Sequence, residues 1–387
     1  MNIKKSVPSG TLFWKKSVKK YFVTWFLLKI TYKYHNNFLS FFSMKISLLM
    51  PAHNEWKSIR KSLDSIIAQT RSIDEIIVVN DGSTDDTGSI LDEYALKYEN
   101  IHPVHLEYNT GNKSKAQEKG ISYITGDVVV MTDADTILDK NFVKNTERRF
   151  LGKNGENISA VGGYVMSLKH NWMTACRAID YVIGQFIFKK AQAIIDYVYV
   201  MPGCATTFRT DVLRTLIFYH DTVTEDLDFT FQMHLRWKKI YYEETAIVYT
   251  QDPPNLSSYM RQMGRWYGGG WQNLRKYWRI IMHRPAAAFV ISSIFVDGVI
   301  YGFINLLLPF LYPQVFFLYI LPMYLATAFV FAVFAAIHNK RADLLLYFPH
   351  FVFIGFVNSY IIIKEFLLEV VIWRRNLTWN KVDRVSL

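Results

Sequence analysis

The chain has 387 residues, of which 51% are hydrophobic and 20% are charged, and 44 Lys and Arg against 33 Asp and Glu give a net charge of +11. So large an apolar fraction excludes an intrinsically disordered chain. The two cysteines, Cys176 and Cys204, lie far apart without metal-binding spacing, which argues against a disulfide framework and a zinc site.

Residues 1–44 form a basic segment with one short apolar stretch. Six lysines fall within the first 20 residues, and residues 21–28 are apolar before Lys29 ends the run. A helix needs about 20 apolar residues to cross a bilayer, so this stretch is too short. The segment is therefore predicted to lie on an anionic membrane surface.

Residues 45–283 alternate between strand and helix patterns. Residues 46–50 and 75–79 are mostly apolar runs typical of buried strands, while helical spacing of apolar residues appears over 59–67 and 90–98. This alternation indicates an α/β domain with a parallel sheet and covering helices. Ligands of such sheets bind beyond the carboxyl ends of the strands.

Acidic residues follow two of the predicted strands. Asp81 comes after the strand at 75–79, where a carboxylate can accept hydrogen bonds from a ribose or base, or can cap a turn. Asp133 and Asp135 follow a strand at 128–132, and extended spacing would put both on the same side. Two carboxylates beside a diphosphate suit Mg²⁺ or Mn²⁺.

A third acidic pair, Glu225 and Asp226, opens a predicted helix. Its apolar face would comprise Leu227, Phe231, His234 and Leu235. Acidic residues in a first helical turn also serve as ordinary caps, so spacing alone leaves both interpretations open.

The stretch at 259–278 is dense in Arg, Trp and Tyr and contains Gln262, Arg265 and Trp266. Because it directly precedes an apolar run, it can also be interpreted as a belt of aromatic and cationic residues at a membrane interface. The three consecutive glycines at 268–270 predict a flexible continuation.

Residues 284–387 contain three long apolar runs. Those at 285–310 and 312–337 each exceed the roughly 20 residues of a membrane-spanning helix. In the third, residues 344–363 are predicted to span, whereas 364–373 contains Lys364, Glu365 and Glu369 and would be either an interfacial helix or a continuation buried against protein. Basic residues flanking these runs predict a multi-pass plasma-membrane protein whose middle region is cytosolic.

Four motifs, taken in chain order, resemble those of the family 2 membrane-bound glycosyltransferases. They are Asn80-Asp81-Gly82-Ser83, Asp133-Ala-Asp135, Thr224-Glu-Asp226 and Gln262-x-x-Arg265-Trp266. The resemblance is greatest to poly-β-N-acetylglucosamine, chitin-oligosaccharide and hyaluronan synthases. It implies a nucleotide-sugar-binding domain of the GT-A type followed by a C-terminal bundle of transmembrane helices. It also implies an inverting hexosyltransferase in which an acceptor hydroxyl attacks the anomeric carbon of a UDP-sugar.

The resemblance assigns the nucleotide end of the site. Asp81 would contact the uracil or ribose, and Lys113 would lie near the nucleotide. Asp133 and Asp135 would hold the ribose and the Mg²⁺ or Mn²⁺ ion.

The resemblance also assigns the reaction end. Asp226 would be the general base, with Glu225 beside it, because an acceptor hydroxyl is a poor nucleophile until its proton is being removed. Arg265 would pair with the diphosphate, Trp266 would stack on the acceptor sugar, and Gln262 would support that site.

The function expected from these features is transfer of N-acetylglucosamine or a related hexose to a growing β-linked polysaccharide at the membrane. One alternative is a non-processive enzyme that glycosylates a membrane lipid, and another is a non-catalytic scaffold or transport component. The expected partners are the UDP-sugar, the polysaccharide or lipid acceptor and membrane lipids, with a homo-oligomer or an accessory export subunit left open. Nucleic acid is not expected, because no nucleic-acid motif accompanies the basic residues.

Overall fold

The structure is a computed structural model that describes residues 44–280 and 284–374. The predicted surface segment, apart from its last residue, and the basic tail from residue 375 lie outside the described residues. The described part contains one eight-stranded sheet. Its strands are β1 (Ile46–Ala52), β2 (Glu75–Asp81), β3 (Ile101–Leu106), β4 (Val128–Met131), β5 (Thr136–Leu138), β6 (Ile158–Ser167), β7 (Thr206–Arg209) and β8 (Lys239–Thr250).

The sheet is mixed, with the strand order β3-β2-β1-β4-β7-β6-β8-β5. Strands β1 to β4 pair in parallel, as the sequence predicts, but β7 runs antiparallel to both β4 and β6, and β5 runs antiparallel to β8. The expectation of a parallel sheet is therefore wrong for β7 and β5, whereas β6 and β8 do pair in parallel. The direction of β5 follows from its connection to β4: residues 132–135 are far fewer than the dozen or so that a parallel crossover needs, so the chain reverses there.

Helices cover the parallel half of the sheet, and the two that the sequence predicts, at 59–67 and 90–98, lie close to their predicted positions. Strands β1, β2 and β4 are almost wholly buried, as expected for strands covered on both faces. Strand β2 extends two residues further than predicted, so Asp81 is its last residue rather than part of the following loop. The covering helices include α1 (Ile59–Ile67), α2 (Thr87–Lys97), α3 (Lys113–Ile121) and α4 (Phe142–Leu151).

A long helical run, Trp172 to Ile194, forms one wall beside the sheet. It comprises α5 (Trp172–Tyr181), a π-helical segment (Val182–Lys189) and α6 (Lys190–Ile194). Asn171 caps its first turn by accepting hydrogen bonds from the backbone N–H groups of Met173 and Thr174. A short helix, α7 (Thr210–Leu213), follows β7.

Helix α8 (Glu225–Leu235) begins at the predicted acidic pair. Leu227, Phe231 and His234 are buried, as the helical spacing indicates. Leu235 is 39% exposed, so its assignment to the buried face is wrong. It is the last residue of the helix.

Helix α9 (Leu256–Lys276) contains the glycines that the sequence suggested would be flexible. Gly268, Gly269 and Gly270 lie instead in the helix and are buried. A Cβ atom at Gly269 would lie 2.5 Å from Thr224 Oγ1, and one at Gly268 would lie 3.2 Å from Glu365 Oε2. These glycines therefore permit close packing, and the prediction of a flexible stretch is wrong.

We expect Gly269→Ala to destabilise the protein by about 1–3 kcal/mol, the usual cost of forcing an atom into a packed contact. The matched control is Gly355→Ala in the third apolar helix, where a Cβ atom would meet nothing within 4 Å. Alanine should be neutral there, or stabilising by up to about 1 kcal/mol, because it favours helix. Unfolding of the two detergent-solubilised variants, followed by circular dichroism, makes the comparison; equal unfolding midpoints would contradict it.

Three helices of the described residues are long and apolar enough to cross a membrane. They are α10 (Pro285–Leu311), the helical run α11 (Pro313–Asn339) and the helical run α12 (Ala342–Val371). Helix α12 continues without a break through Lys364, Glu365 and Glu369. The sequence left this part either as an interfacial helix or as a continuation buried against protein. Glu369 is 1% exposed and accepts hydrogen bonds from Gln272 Nε2 at 2.7 Å and Arg275 Nη2 at 3.0 Å on α9. One face of the continuation, with Glu365 and Glu369, is therefore buried against protein, whereas Leu367 and residues 370–373 are exposed.

Candidate active site

One cavity of about 570 Å³ collects the predicted site residues. It lies beyond the carboxyl ends of β1, β2 and β4, where ligands bind to sheets of this type. It extends from there to α9 and the apolar helices. Its lining includes all nine predicted residues, namely Asp81, Lys113, Asp133, Asp135, Glu225, Asp226, Gln262, Arg265 and Trp266.

Asp81 fixes the loop that leads into α3. Its two carboxylate oxygens each accept a hydrogen bond from Thr110, one from the backbone N–H and one from the hydroxyl, both at 2.9 Å. Gly82 has a φ of +59°, and a Cβ atom there would lie 2.3 Å from the backbone nitrogen of Asn109. The turn therefore requires glycine. Each Asp81 oxygen retains a second lone pair for a ligand.

The N-terminus of α3 faces the same cavity. Asn112 caps the helix by accepting a hydrogen bond from the backbone N–H of Ser114 at 2.9 Å, and Gly111, Asn112 and Lys113 all line the cavity. A helix N-terminus carries partial positive charge and unpaired N–H groups that favour a phosphate. This end of the cavity is therefore suited to a nucleotide diphosphate.

Asp133 and Asp135 lie in a turn between β4 and β5. Strand β4 ends at Met131, and the backbone N–H of Thr136 donates to the carbonyl of Asp133 at 3.1 Å. The extended spacing expected from the sequence is therefore wrong, although both carboxylates line the cavity. Asp135 is 5% exposed, whereas Asp133 is half-buried.

Lys113 joins the two halves of the site. Its ammonium lies 2.6 Å from Asp133 Oδ1 and 2.9 Å from Glu225 Oε1. Burial alone would lower the pKa of Lys113, but the two carboxylates outweigh burial and hold that pKa well above its ordinary value. Lys113 therefore stays charged and ties the turn after β4 to the start of α8. The sequence did not predict this pairing, because the residues are far apart along the chain.

Asp226 lies at the first turn of α8, beside this ion cluster. Its carboxylate accepts hydrogen bonds from the backbone N–H groups of Leu227 at 2.8 Å and Gly203 at 3.3 Å. Burial and the charge of Glu225 raise the pKa of Asp226 to about 6, and Lys113 opposes that rise. Such a group is ionised at neutral pH and is a stronger base than an ordinary aspartate.

Helix α9 carries Gln262, Arg265 and Trp266 on one face, because residues three and four positions apart are neighbours on a helix. Gln262 is 7% exposed, and its Oε1 atom has no hydrogen-bond partner among the described residues. Trp266 is 39% exposed, and the guanidinium of Arg177 lies 5.1 Å from its ring. An aromatic face and an unused amide oxygen suit a sugar.

Sequence reasoning missed two basic residues on the wall formed by Trp172 to Ile194. Arg177 is 1% exposed and lies 3.2 Å from Asp252 Oδ1, and it also pairs with Asp180. Lys189 is 7% exposed, and both basic residues line the cavity. The available signal was weak: Arg177 is a single cation in a mostly apolar run, and Lys189 is the first of two adjacent lysines that end another.

The far end of the cavity is apolar and reaches the candidate membrane helices. Ile294 and Phe295 of α10 and Ile362 of α12 line it, together with Trp271 of α9. A molecule in the cavity could thus contact polar groups at the sheet edge and hydrocarbon side chains at the opposite end.

The fit of a divalent cation depends on Asp133 and Asp135. No group of three or more His, Cys, Asp or Glu residues within 44–280 and 284–374 could hold a metal alone. Mg²⁺ and Mn²⁺ commonly use one or two carboxylates and complete their coordination with phosphate oxygens and water. A buried carboxylate and a half-buried one on the same turn fit that donor set.

Comparisons with known proteins match this architecture. Residues 47–217 match the model of the family described as glycosyl transferase family 2. The poly-beta-1,6-N-acetyl-D-glucosamine synthase of Staphylococcus epidermidis is 26% identical over 258 residues, which cover 64% of this chain and 60% of that protein. The enzyme of the same name from Staphylococcus aureus strain COL is 29% identical over 228 residues, covering 58% and 54%. The chain thus spans little more than half the length of these relatives.

A solved structure supports the fold assignment. A mannosyltransferase of Pyrobaculum calidifontis, in complex with GDP-Man and Mn²⁺, superposes with a TM-score of 0.58 at 18% sequence identity. The superposition covers 86% of this chain and 88% of that one. At this identity the likeness concerns the fold.

Proposed function

This chain carries a family 2 glycosyltransferase domain of the GT-A type, and on that premise we propose that it catalyses inverting transfer of a hexose from a UDP-sugar. The hexose is N-acetylglucosamine or a related sugar, and the acceptor is a growing β-linked polysaccharide at the membrane. The observation that carries the proposal is the single cavity. It joins the sheet edge beside the N-terminus of α3, the half-buried carboxylate of Asp226 and an apolar end formed by candidate membrane helices.

The UDP-sugar is bound mainly by residues at the sheet edge, together with Arg265 of α9. Asp81 accepts a hydrogen bond from the uracil or ribose, and the N-terminus of α3 and Arg265 face the diphosphate. Asp135 and Asp133 would hold Mg²⁺ or Mn²⁺, which when bound offsets the charge that develops on the leaving diphosphate. Lys113 keeps Asp133 and Glu225 in place around the donor.

Proton removal falls to Asp226. Its carboxylate takes the proton of the acceptor hydroxyl as that oxygen attacks the anomeric carbon, and the bond from that carbon to the diphosphate breaks on the opposite face. Burial and the charge of Glu225 keep the pKa of Asp226 raised. Trp266 stacks on the acceptor sugar, and the unused Oε1 of Gln262 accepts a hydrogen bond from one of its hydroxyls.

The pH dependence of transfer should report the pKa of Asp226. As pH falls through about 6, the carboxylate becomes protonated and can no longer accept a proton, so kcat/KM should fall about tenfold per pH unit. An unperturbed aspartate would show this decline only near its ordinary pKa of about 3.9. Initial rates between pH 4.5 and 8.5 provide the measurement, and a flat profile down to pH 5 would contradict the assignment.

A second candidate function is non-processive glycosylation of a membrane lipid. The observation that favours it is the apolar end of the cavity, where Ile294, Phe295 and Ile362 could contact an acyl or prenyl chain. In both cases the catalytic domain lies on the cytosolic side of the plasma membrane, with α10, α11 and α12 as membrane spans. A second copy of the chain or an export subunit would be a further partner.

Labelled UDP-sugars supplied to membranes that contain the full chain test the function. Wild-type membranes should incorporate label from UDP-N-acetylglucosamine or a related UDP-hexose into long polymer, which gel filtration separates from short products. Label that is extracted into organic solvent and carries one sugar would establish the lipid alternative instead. No incorporation from any UDP-sugar would reject both and support the scaffold or transport alternative.

A further inference from the structure

Lys189 is a buried cation whose charge the proposed reaction does not use. It is the last residue of the π-helical segment Val182–Lys189, is 7% exposed and lines the cavity. The described residues offer its ammonium neither a hydrogen bond nor an ion pair, and the nearest aromatic contact is the ring of Tyr242 at 5.8 Å. An ammonium that is removed from water without a partner is costly to keep.

The neighbouring lysine shows that an ammonium without a hydrogen bond or ion pair is not a general property of the segment. Lys190 is half exposed, and its ammonium lies 2.7 Å from Glu244 Oε2 on β8. Lys113, the half-buried lysine of the cavity, lies between two carboxylates. Of these three lysines, Lys189 alone has no carboxylate within ion-pair distance among the described residues.

The backbone around Lys189 is held firmly in place. Gln185, one turn earlier on the same helical face, accepts a hydrogen bond from the backbone N–H of Val165 at 3.0 Å and donates one to its carbonyl at 3.2 Å. These two bonds fasten the segment to β6. Interruptions of the α-helical pattern by π-helix frequently occur at functional sites. The position of Lys189 on the cavity wall is therefore built into the fold.

Lys189 remains a cation at neutral pH. Burial lowers the pKa of Lys189 to about 8, and the carboxylate of Asp226 partly opposes that fall. An ammonium with this pKa is mostly protonated at pH 7. Because the Lys189 ammonium stays charged without an ion pair or hydrogen bond, an anion bound in the cavity would be stabilised there.

The wall that carries Lys189 is the one that contacts the predicted acceptor residues. Arg177, on the same helical run, lies 5.1 Å from the ring of Trp266. The predicted nucleotide contacts, by contrast, come from the ends of β2 and β4 and from the start of α3, which has its own cation in Lys113. Lys189 is also close enough to Asp226 for that carboxylate to raise its pKa, so its ammonium lies on the side of the cavity where the acceptor would approach the proposed base.

We propose that Lys189 binds an anionic substituent, a carboxylate or a phosphate, on the acceptor. That the bound molecule is the acceptor rests on the proposed function. The anion site itself rests on Lys189 and the cavity alone. The ligand class is therefore an acidic sugar chain or a sugar phosphate, including a lipid-linked one. A neutral acceptor would leave the ammonium without a partner in the complex.

Matched pairs of small probes test the site by binding rather than by turnover. The first pair is a β-linked disaccharide ending in glucuronate and its glucose-ended twin; the second is N-acetylglucosamine 1-phosphate and N-acetylglucosamine. Isothermal titration of the detergent-solubilised full chain, saturated with UDP and Mg²⁺, gives the affinities. At least one acidic probe should bind about 10- to 100-fold more tightly than its neutral twin, as expected for a charge-assisted hydrogen bond. The pair that shows the difference identifies carboxylate or phosphate.

Variants identify the residue responsible. Lys189→Met should abolish the preference for the acidic probe, and Lys189→Arg should retain most of it. Lys190→Met is the control and should bind as wild type does. A preference that survives in Lys189→Met, or no preference in correctly folded wild type, would overturn the proposal. Should Lys189→Met unfold, the arginine variant and the wild-type comparison still decide the question.

Transfer assays separate this inference from the proposed function. Wild-type protein that transfers sugar, combined with a Lys189→Met variant whose KM rises for the acceptor and stays unchanged for the UDP-sugar, supports both. A rise confined to the KM of the UDP-sugar would place the anion on the donor and overturn the inference alone. Absence of transfer from every UDP-sugar would contradict the proposed function. The binding measurements would still test whether Lys189 binds an anionic group.

Discussion

Asp226→Asn should lower kcat by about 10²–10⁴-fold, because the amide retains the shape of the side chain but cannot accept the acceptor proton. Leu227 donates its backbone N–H to Oδ1 and Gly203 donates its own to Oδ2, so the single amide oxygen would keep one of these two hydrogen bonds. Donor binding, measured as the dissociation constant of UDP, should change little. The rate measured at saturating donor is therefore the informative quantity.

The control for this variant is Asp221→Asn. Asp221 is exposed, lies five residues before Asp226 and pairs with Lys276 at 2.8 Å. Losing an exposed ion pair costs at most about 1 kcal/mol of stability and should leave kcat unchanged. Equal activity of Asp226→Asn and Asp221→Asn would show that Asp226 is not the base.

Asp135→Asn should lower the rate by about 10²–10³-fold at a fixed Mn²⁺ concentration, corresponding to the several kcal/mol that a bound divalent cation contributes to charge stabilisation. Asparagine retains one oxygen but removes the negative charge of a carboxylate that is 5% exposed. Raising the Mn²⁺ concentration should restore part of the activity, because the remaining ligands still bind the ion weakly. The Mn²⁺ dissociation constant in the presence of UDP, measured by electron paramagnetic resonance, checks the cause.

Asp127→Asn is the control for this second prediction. Asp127 precedes β4 at the end away from the cavity, where it accepts a hydrogen bond from the backbone N–H of Lys45 at 2.8 Å. Its substitution should not alter the Mn²⁺ dissociation constant. Wild-type activity that persists after exhaustive treatment with a chelator would contradict the metal assignment altogether.

The sequence predicted those features that arise from local patterns. The buried strands β1, β2 and β4 were recognisable because each is a short apolar run bordered by turn residues. Their carboxyl ends share one edge by topology, so Asp81 and the turn containing Asp133 and Asp135 could be assigned to one site before the fold was known. The start of α8 was recognisable from its acidic first turn.

Other features arise from contacts between distant parts of the chain. The antiparallel strands of the second half of the sheet depend on long-range pairing that no local pattern specifies. The ion pairs of Lys113 with Asp133 and Glu225 form only once three separate elements meet. The glycines of α9 look flexible in the sequence, because the side chains against which they pack closely, Thr224 and Glu365, are distant along the chain.

The buried contact of Glu369 with Gln272 and Arg275 has a consequence for where the reaction takes place. Glu365 and Glu369 lie one turn apart, about 6 Å along α12, at the end that follows its apolar part. If α12 crosses a bilayer, these carboxylates mark the level of the lipid headgroups. Because α9 is fastened at that level, Trp266 has a fixed depth, and the new glycosidic bond would form beside the headgroups. The growing chain would then reach the membrane without a separate docking step.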